Sequence, residues 1–258
     1  VNFMATTKVR YSQIETGLPA GGDVNYNDVL LLLKMEGSDG STTFIDSSNG
    51  NRTVSRFGAL ISTDQFKFGG SSGEFDGSND YLTVPISSDF VMTGDYTIEG
   101  WFYAYATSGD TIISQWPTNG AVGAYGLWIY QNKLRWDTRP SNNLTYSLDS
   151  TSTISTGQWY NFAIVRSGTT QSMFINGTLE SSNTMTDTVG LSNVTPTIGR
   201  FITAGDFMNG YIDELRITKG VARYTSNFSV PTAAFPAFES KEGKRLVVNA
   251  NESIELES

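Results

Sequence analysis

The sequence predicts an all-β fold, an antiparallel two-sheet β-sandwich of the jelly-roll type. Three observations predict it. Short apolar or alternating runs recur along the chain, separated by Gly, Asn, Asp and Ser clusters, which is the rhythm of many short strands. Asn176-Gly177 stands between alternating apolar residues, the dipeptide that a two-residue type I′ hairpin selects because both positions need positive φ. Helical periodicity is nearly absent, and its one short candidate is Lys219 to Tyr224.

Taken in order, Val29-Leu-Leu-Leu-Leu33 is an unbroken apolar run and reads as a strand buried on both faces. Strand-like runs follow at Gly58 to Ser62, Tyr81 to Pro85, Tyr96 to Tyr103, Thr111 to Gln115 and Tyr125 to Tyr130. Gln131-Asn132 then reads as a second hairpin loop, leading into Lys133 to Thr138. Trp159 to Arg166, Thr170 to Ile175, Thr195 to Arg200 and Gly210 to Thr218 complete the series. Outside it lie an N-terminal arm and linker over 1–25, ending in the turn-rich Gly17-Leu-Pro-Ala-Gly-Gly22, and a tail over 239–258 with two β-like runs. The sandwich is expected over 26–238.

Composition excludes several functions. The 258 residues include neither cysteine nor histidine. Disulfides, thiol chemistry, Ser-His-Asp and Cys-His mechanisms are therefore impossible, and the usual zinc ligands are missing. A net charge of -9 repels a phosphate backbone, so no nucleic-acid partner is expected. No apolar run is long enough for a membrane-spanning helix, and no membrane insertion is expected. The acidity suits either solubility or oxygen ligation of a hard cation such as calcium.

The phrase Gly210-Tyr-Ile-Asp-Glu-Leu-Arg-Ile217 sets two adjacent carboxylates, Asp213 and Glu214, inside an alternating strand. A charge facing into a sheet is costly unless paired or metal-bound, so one of the two acids has a structural duty. Adjacent residues of a regular strand point to opposite sides, so the two form no catalytic pair.

These phrases together resemble the concanavalin A-like lectin/glucanase superfamily, in particular its laminin G-like jelly-roll domains. The matching phrases run in the family's order: Val29 to Lys34 followed by Asp46, Gly70 to Leu82 with its Phe75-Asp-Gly77, Tyr96 to Phe102, Gln158-Trp159 and Val165-Arg166, Met173 to Leu179, Ile198-Gly-Arg200, and Gly210 to Ile217. The segment Thr218 to Phe228 followed by Pro231, and the start Met4 to Gly17, resemble the ends of such domains in bacteriophage tail-fibre-like virion proteins.

The resemblance implies two sites. A structural calcium is implied at Asp213, the Gly77 carbonyl, and Glu36 or Gly37; the alternative is a capped or salt-bridged Asp213 without metal. A glycan groove is implied by Trp128, Tyr130 and Trp136 with Arg135, the alternative being that these rings belong to the core. The family's hydrolases carry a Glu-x-Asp-x-x-Glu phrase that this chain lacks, leaving Glu99 alone on its strand. The expectation is therefore a non-catalytic virion protein, a tail fibre or capsid-surface appendage assembled in the host cytoplasm. It presents a lectin-like module to other virion proteins or to a host-surface glycan. The alternatives are a carbohydrate-binding module of a cell-surface adhesin and, more remotely, a glycoside hydrolase. The apolar runs of the two ends have no core of their own, which points to a homo-oligomer such as a trimer.

Overall fold

The computed structural model describes residues 22–117, 123–139, 145–186, 188–191, 193–201, 206–238, 245–248 and 254–257. The terminal runs Val9 to Ile14 lie outside these residues. The chain divides into two compact units, Asn27–Phe235 and the combined ends Val1–Tyr26 and Pro236–Ser258. In the larger unit the strands are β1 (Val29–Leu33), β2 (Ser55–Phe57), β3 (Leu60–Ser62), β4 (Ser72–Asp76), β5 (Tyr81–Thr83), β6 (Tyr96–Ala104), β7 (Asp110–Gln115), β8 (Ala124–Tyr130) and β9 (Lys133–Arg139). They continue as β10 (Tyr146–Asp149), β11 (Trp159–Ser167), β12 (Thr170–Ile175), β13 (Thr178–Thr184), β14 (Thr197–Ile198), β15 (Arg200–Phe201), β16 (Asp206–Phe207) and β17 (Asn209–Lys219). In the terminal unit β18 (Arg245–Val248) pairs antiparallel with β19 (Ile254–Glu257).

Two antiparallel sheets form a sandwich. One has the order β13-β12-β11-β6-β17-β4-β3, with β1 also on β17; the other has the order β10-β9-β8-β7-β14-β5-β2. Their facing sides hold the core, which includes Leu33, Phe75, Phe102, Leu127, Trp136, Phe162 and Ile212. Both expected hairpins form. Asn176 and Gly177 have φ of 49° and 75°, and Gln131 and Asn132 have 50° and 63°, so each loop carries the paired positive φ of type I′.

The buried β1 needs cover on both faces, and Asp46 explains the second. Its Oδ1 accepts from the amides of Leu32 and Ser48 at 3.0 Å each, and its Oδ2 from Arg52 N–H at 2.8 Å, which pins the 46–52 turn along β1. The helix expected at Lys219 to Tyr224 is not formed. β17 runs on to Lys219, Gly220 turns at φ 85°, and Thr97 Oγ1 donates to the Val221 carbonyl, laying the segment across the sheet instead.

β17 changes partner halfway. Its edge away from β6 pairs with β4 through Asn209 to Ile212, then with β1 through Leu215 to Thr218. A bulge between Asp213 and Arg216 falls at the change. The chains leaving β1 and entering β4 part there, and their backbone groups need partners other than a strand.

Candidate functional site: an aromatic sheet face and three buried carboxylates

Alternation along β8 and β9 fixes what each face of the seven-stranded sheet presents. Tyr125, Leu127 and Ile129 enter the core, so Gly126, Trp128 and Tyr130 face away from it. The two-residue loop places Trp128 opposite Arg135 and Leu127 opposite Trp136. Trp128, Tyr130 and Arg135 therefore share the outer face. Trp136 is corrected to the core: it shares the inner face with Leu127, is fully buried, and packs on Tyr125 with ring centres 5.3 Å apart.

The outer face is richer than the sequence suggests. The Trp128 ring lies over Gly126, where a Cβ would come within 2.5 Å of it, so only glycine leaves room for the ring to lie down on the sheet. Phe201 packs on Trp128 at 4.7 Å and on Trp116 at 5.5 Å. Beside them the Arg135 guanidinium stands 4.5 Å over the exposed Tyr130 ring and binds Asp149 through Nε and Nη2 at 2.6 and 2.7 Å. Asp137 is buried in the row between Gly126 and Ser147, and burial raises its pKa. Further along, Tyr81 stacks on Phe57 at 4.3 Å, with Arg200 at 4.7 Å over Tyr81. Flat rings bordered by a guanidinium and carboxylates suit a polyhydroxylated ligand, whose C–H faces stack while its hydroxyls find donors and acceptors. Trp116, after β7, and Arg200 and Phe201, of β15, reach this face from two segments that no local pattern in the sequence joins.

The outer face of the other sheet holds Glu99, Asp213 and Glu214, all essentially buried. Glu99 Oε1 accepts from Arg216 Nε and Nη2 at 3.0 and 2.9 Å, and its Oε2 accepts from the Tyr224 hydroxyl at 2.8 Å. Asp213 sits in the gap where β17 changes partner. Its Oδ2 accepts from the amides of Lys67 and Phe68 at 2.8 and 3.0 Å, satisfying the chain on its way into β4. Its Oδ1 has no partner, and burial pushes the carboxyl up to about 7. Glu214 Oε2 accepts from Phe235 N–H at 2.7 Å, and burial, with the Asp213 charge, pushes it up to about 8. The expectation that adjacent acids must point apart fails here because Glu214 adopts φ 51° in the bulge, so strand alternation lapses.

The residues expected around a calcium assemble only in part. Glu36 lies close enough for its charge to raise the pKa of Asp213, and Gly37 N–H donates to Ser71 Oγ in the same gap. Glu36 also pairs with Lys34 at 2.8 Å. Gly77 is not there. It packs against Asn209, four residues before Asp213, about 13 Å along the strand. The glycine that faces Glu36 is Gly69, where a Cβ would come within 2.7 Å of Glu36 Oε1. The orphaned Oδ1 of Asp213 and the Glu36 carboxylate fit a hard cation, which takes carboxylate and backbone oxygens together. Among the described residues no group of three His, Cys, Asp or Glu side chains converges to hold a metal.

The family description of the concanavalin A-like lectin/glucanases superfamily matches residues 76–223. The chain belongs to that superfamily. No curated protein matches it. Among solved structures, this superfamily member is similar to the receptor binding domain of botulinum neurotoxin D, at 18% identity and a TM-score of 0.57 over 79% of this chain and 51% of that one. It is also similar to the serotype D ligand binding domain in complex with N-acetylneuraminic acid, at 17% identity and a TM-score of 0.59 over 79% and 49%. A third likeness is to domain 4 of AbnA, a GH43 extracellular arabinanase from Geobacillus stearothermophilus, in complex with arabinotriose. There the identity is 18% and the TM-score 0.60, over 75% of this chain and 93% of that one. The chain spans about half the length of the neurotoxin binding domains and nearly all of the arabinanase domain. At these identities the likeness is one of fold.

Proposed function

We propose that this protein is a non-catalytic glycan-binding module whose ligand lies on the outer face of the seven-stranded sheet, and that it is carried on a bacteriophage virion as a tail-fibre-like or capsid-surface appendage. The observation that carries the glycan reading is the convergence of Trp128, Phe201 and Trp116 beside Tyr130 and the Arg135–Asp149 pair. The sugars bound by the serotype D domain and the arabinanase domain support it, since both share this fold. The virion reading rests on the phrases Met4 to Gly17 and Thr218 to Pro231. Nothing in the buried Glu99 suits it to act as a free acid, because both of its oxygens are occupied.

A glycan array on the full chain tests the reading, with binding to any hit then measured for Trp128→Ala and Arg135→Ala. Trp128→Ala is expected to weaken binding at least tenfold, about 1.4 kcal/mol, while Tyr105→Ala, just past the end of β6 in the other sheet, leaves it unchanged. An array without a hit, or a hit indifferent to Trp128→Ala, removes the glycan reading. Mass spectrometry of purified particles tests the virion assignment separately.

A structural calcium at Asp213 and Glu36 belongs to the same proposal. The ion would supply the partner that Asp213 Oδ1 lacks and tie the end of β1 to the entry of β4. Chelation is then expected to lower the melting temperature, and Asp213→Asn to abolish that dependence, since a ligand bound only to the native state stabilises it. A melting temperature indifferent to chelator counts against the ion.

A further inference from the structure

We propose a second calcium site, formed by Asp110 and Asp206, that fastens the β15–β16 hairpin to the start of β7. It is independent of both the glycan reading and the Asp213 cation. Asp110 opens β7 and is 1% exposed. Its Oδ1 accepts from Asn209 N–H at 2.7 Å. Its Oδ2 is buried without a partner. A carboxylate half-satisfied in this way is costly to bury, and natural interiors seldom leave one so.

The neighbour that acts on Asp110 is a second acid. Asp206 belongs to β16, and its Oδ1 lies 3.5 Å from where a Cβ on Gly109 would stand, against the residue that precedes Asp110. Burial pushes Asp110 up to about 6, the Asp206 charge adding to it, and burial raises Asp206 as well. No hydrogen bond or ion pair satisfies the Asp206 carboxylate among the described residues. Two unneutralised carboxylates at one corner call for a cation, and no lysine or arginine of the described residues fills that role. β15 is already tied to β7, Ser114 Oγ donating to the Arg200 carbonyl at 2.9 Å, and β16 is held by its pairing with β15 and by Met208 N–H donating to the Gly199 carbonyl. A bound ion would connect β16 directly to β7, beside the hairpin that sets Phe201 on Trp128.

The chemistry of the donors selects the ion. Both side-chain ligands are hard oxygens, and the chain has no histidine or cysteine to favour a softer metal. Calcium accepts irregular sets completed by backbone carbonyls and water, whereas magnesium demands a near-ideal octahedron. Two carboxylates place the site in the weak class, with Kd of about 10⁻⁴–10⁻³ M.

The test is calorimetric titration of calcium chloride into the chelator-treated full chain, comparing wild type, Asp213→Asn, Asp206→Asn and Asp110→Asn. Asp206→Asn is expected to lose one calcium per chain relative to wild type, and Asp110→Asn the same one. Asp213→Asn is expected to keep it, whatever Asp213 itself contributes. Asp206 is only partly buried, so Asp206→Asn is expected to retain the melting curve of chelated wild type, and calcium to raise its melting temperature less. Calcium stoichiometry and affinity unchanged by Asp206→Asn overturn the proposal, as does a wild-type protein that takes up no calcium at millimolar concentration.

Discussion

Glu99→Ala is expected to destabilise the fold by about 3–5 kcal/mol, the usual cost of stranding one half of a buried ion pair. The Arg216 side chain is 5% exposed and that of Glu99 1%, so water cannot take over the lost contact. Arg216 donates to Glu99 through two nitrogens, and Arg223 Nε stands 3.5 Å from the same oxygen. Removing the carboxylate leaves two guanidinium groups crowded without their shared anion. It also frees the Tyr224 hydroxyl, one of the bonds that holds 221–228 on the sheet. Tyr224 stacks on Phe228 at 3.6 Å, and Phe228 meets Phe174 edge-on, so this loss extends into the small apolar cluster beneath. Urea denaturation of wild type, Glu99→Ala, Arg216→Leu and the double variant Glu99→Leu/Arg216→Leu separates the effects. The double variant is expected to recover much of the loss, because removing both charges spares the desolvation that either alone incurs. A loss below about 1 kcal/mol for Glu99→Ala would place the pair among ordinary surface ion pairs.

The sequence carries strand rhythm well because an alternating run needs only its own residues to declare itself. The two hairpin loops were equally legible, since positive φ at Asn176-Gly177 and Gln131-Asn132 is a local demand. The Gln131-Asn132 loop also contained the answer that the aromatic reading missed. A two-residue loop sets Trp128 opposite Arg135, which puts Trp136 on the core side with Leu127. That one of Asp213 and Glu214 has a structural duty was legible from the cost of burying a charge in a sheet. The identity of the partners of Asp213 was not, because Lys67 and Phe68 lie some 145 residues away and meet it only where β17 changes neighbours. The bulge that brings Glu214 to the same face as Asp213 left no mark on the alternation of its strand. Phe201 and Trp116 joined the aromatic face through tertiary packing alone.

Stability of the chelated protein is expected to fall as pH rises from about 4 to about 8, and Asp213 and Glu214 set that slope. Both are raised by burial first, Asp213 from 3.8 to about 7 and Glu214 from 4.5 to about 8. In the unfolded chain both lose their protons near pH 4. In the folded chain they keep them until pH 7 or 8. Between those limits the native state binds more protons than the unfolded state, so stability declines with pH. Their contribution is fully present below the unfolded pKa values and is lost once the folded carboxyls ionise. Either carboxyl alone amounts to roughly 4 kcal/mol across the window, at about 1.4 kcal/mol per pH unit of difference. Asp110, raised to about 6, adds to the slope in the same direction. Asp89, lowered by its bond to Arg52, acts oppositely but only as pH falls below the ordinary carboxylate range. Denaturation at pH 5.5 and pH 8 therefore isolates the buried acids. Wild type is expected to be the more stable at pH 5.5. Glu214→Gln keeps an acceptor for Phe235 N–H while removing the titration, so it is expected to flatten the slope and to exceed wild type in stability at pH 8. Equal stabilities at the two pH values, or a Glu214→Gln protein weaker than wild type at pH 8, would mean that these carboxylates ionise in the folded chain as freely as in water.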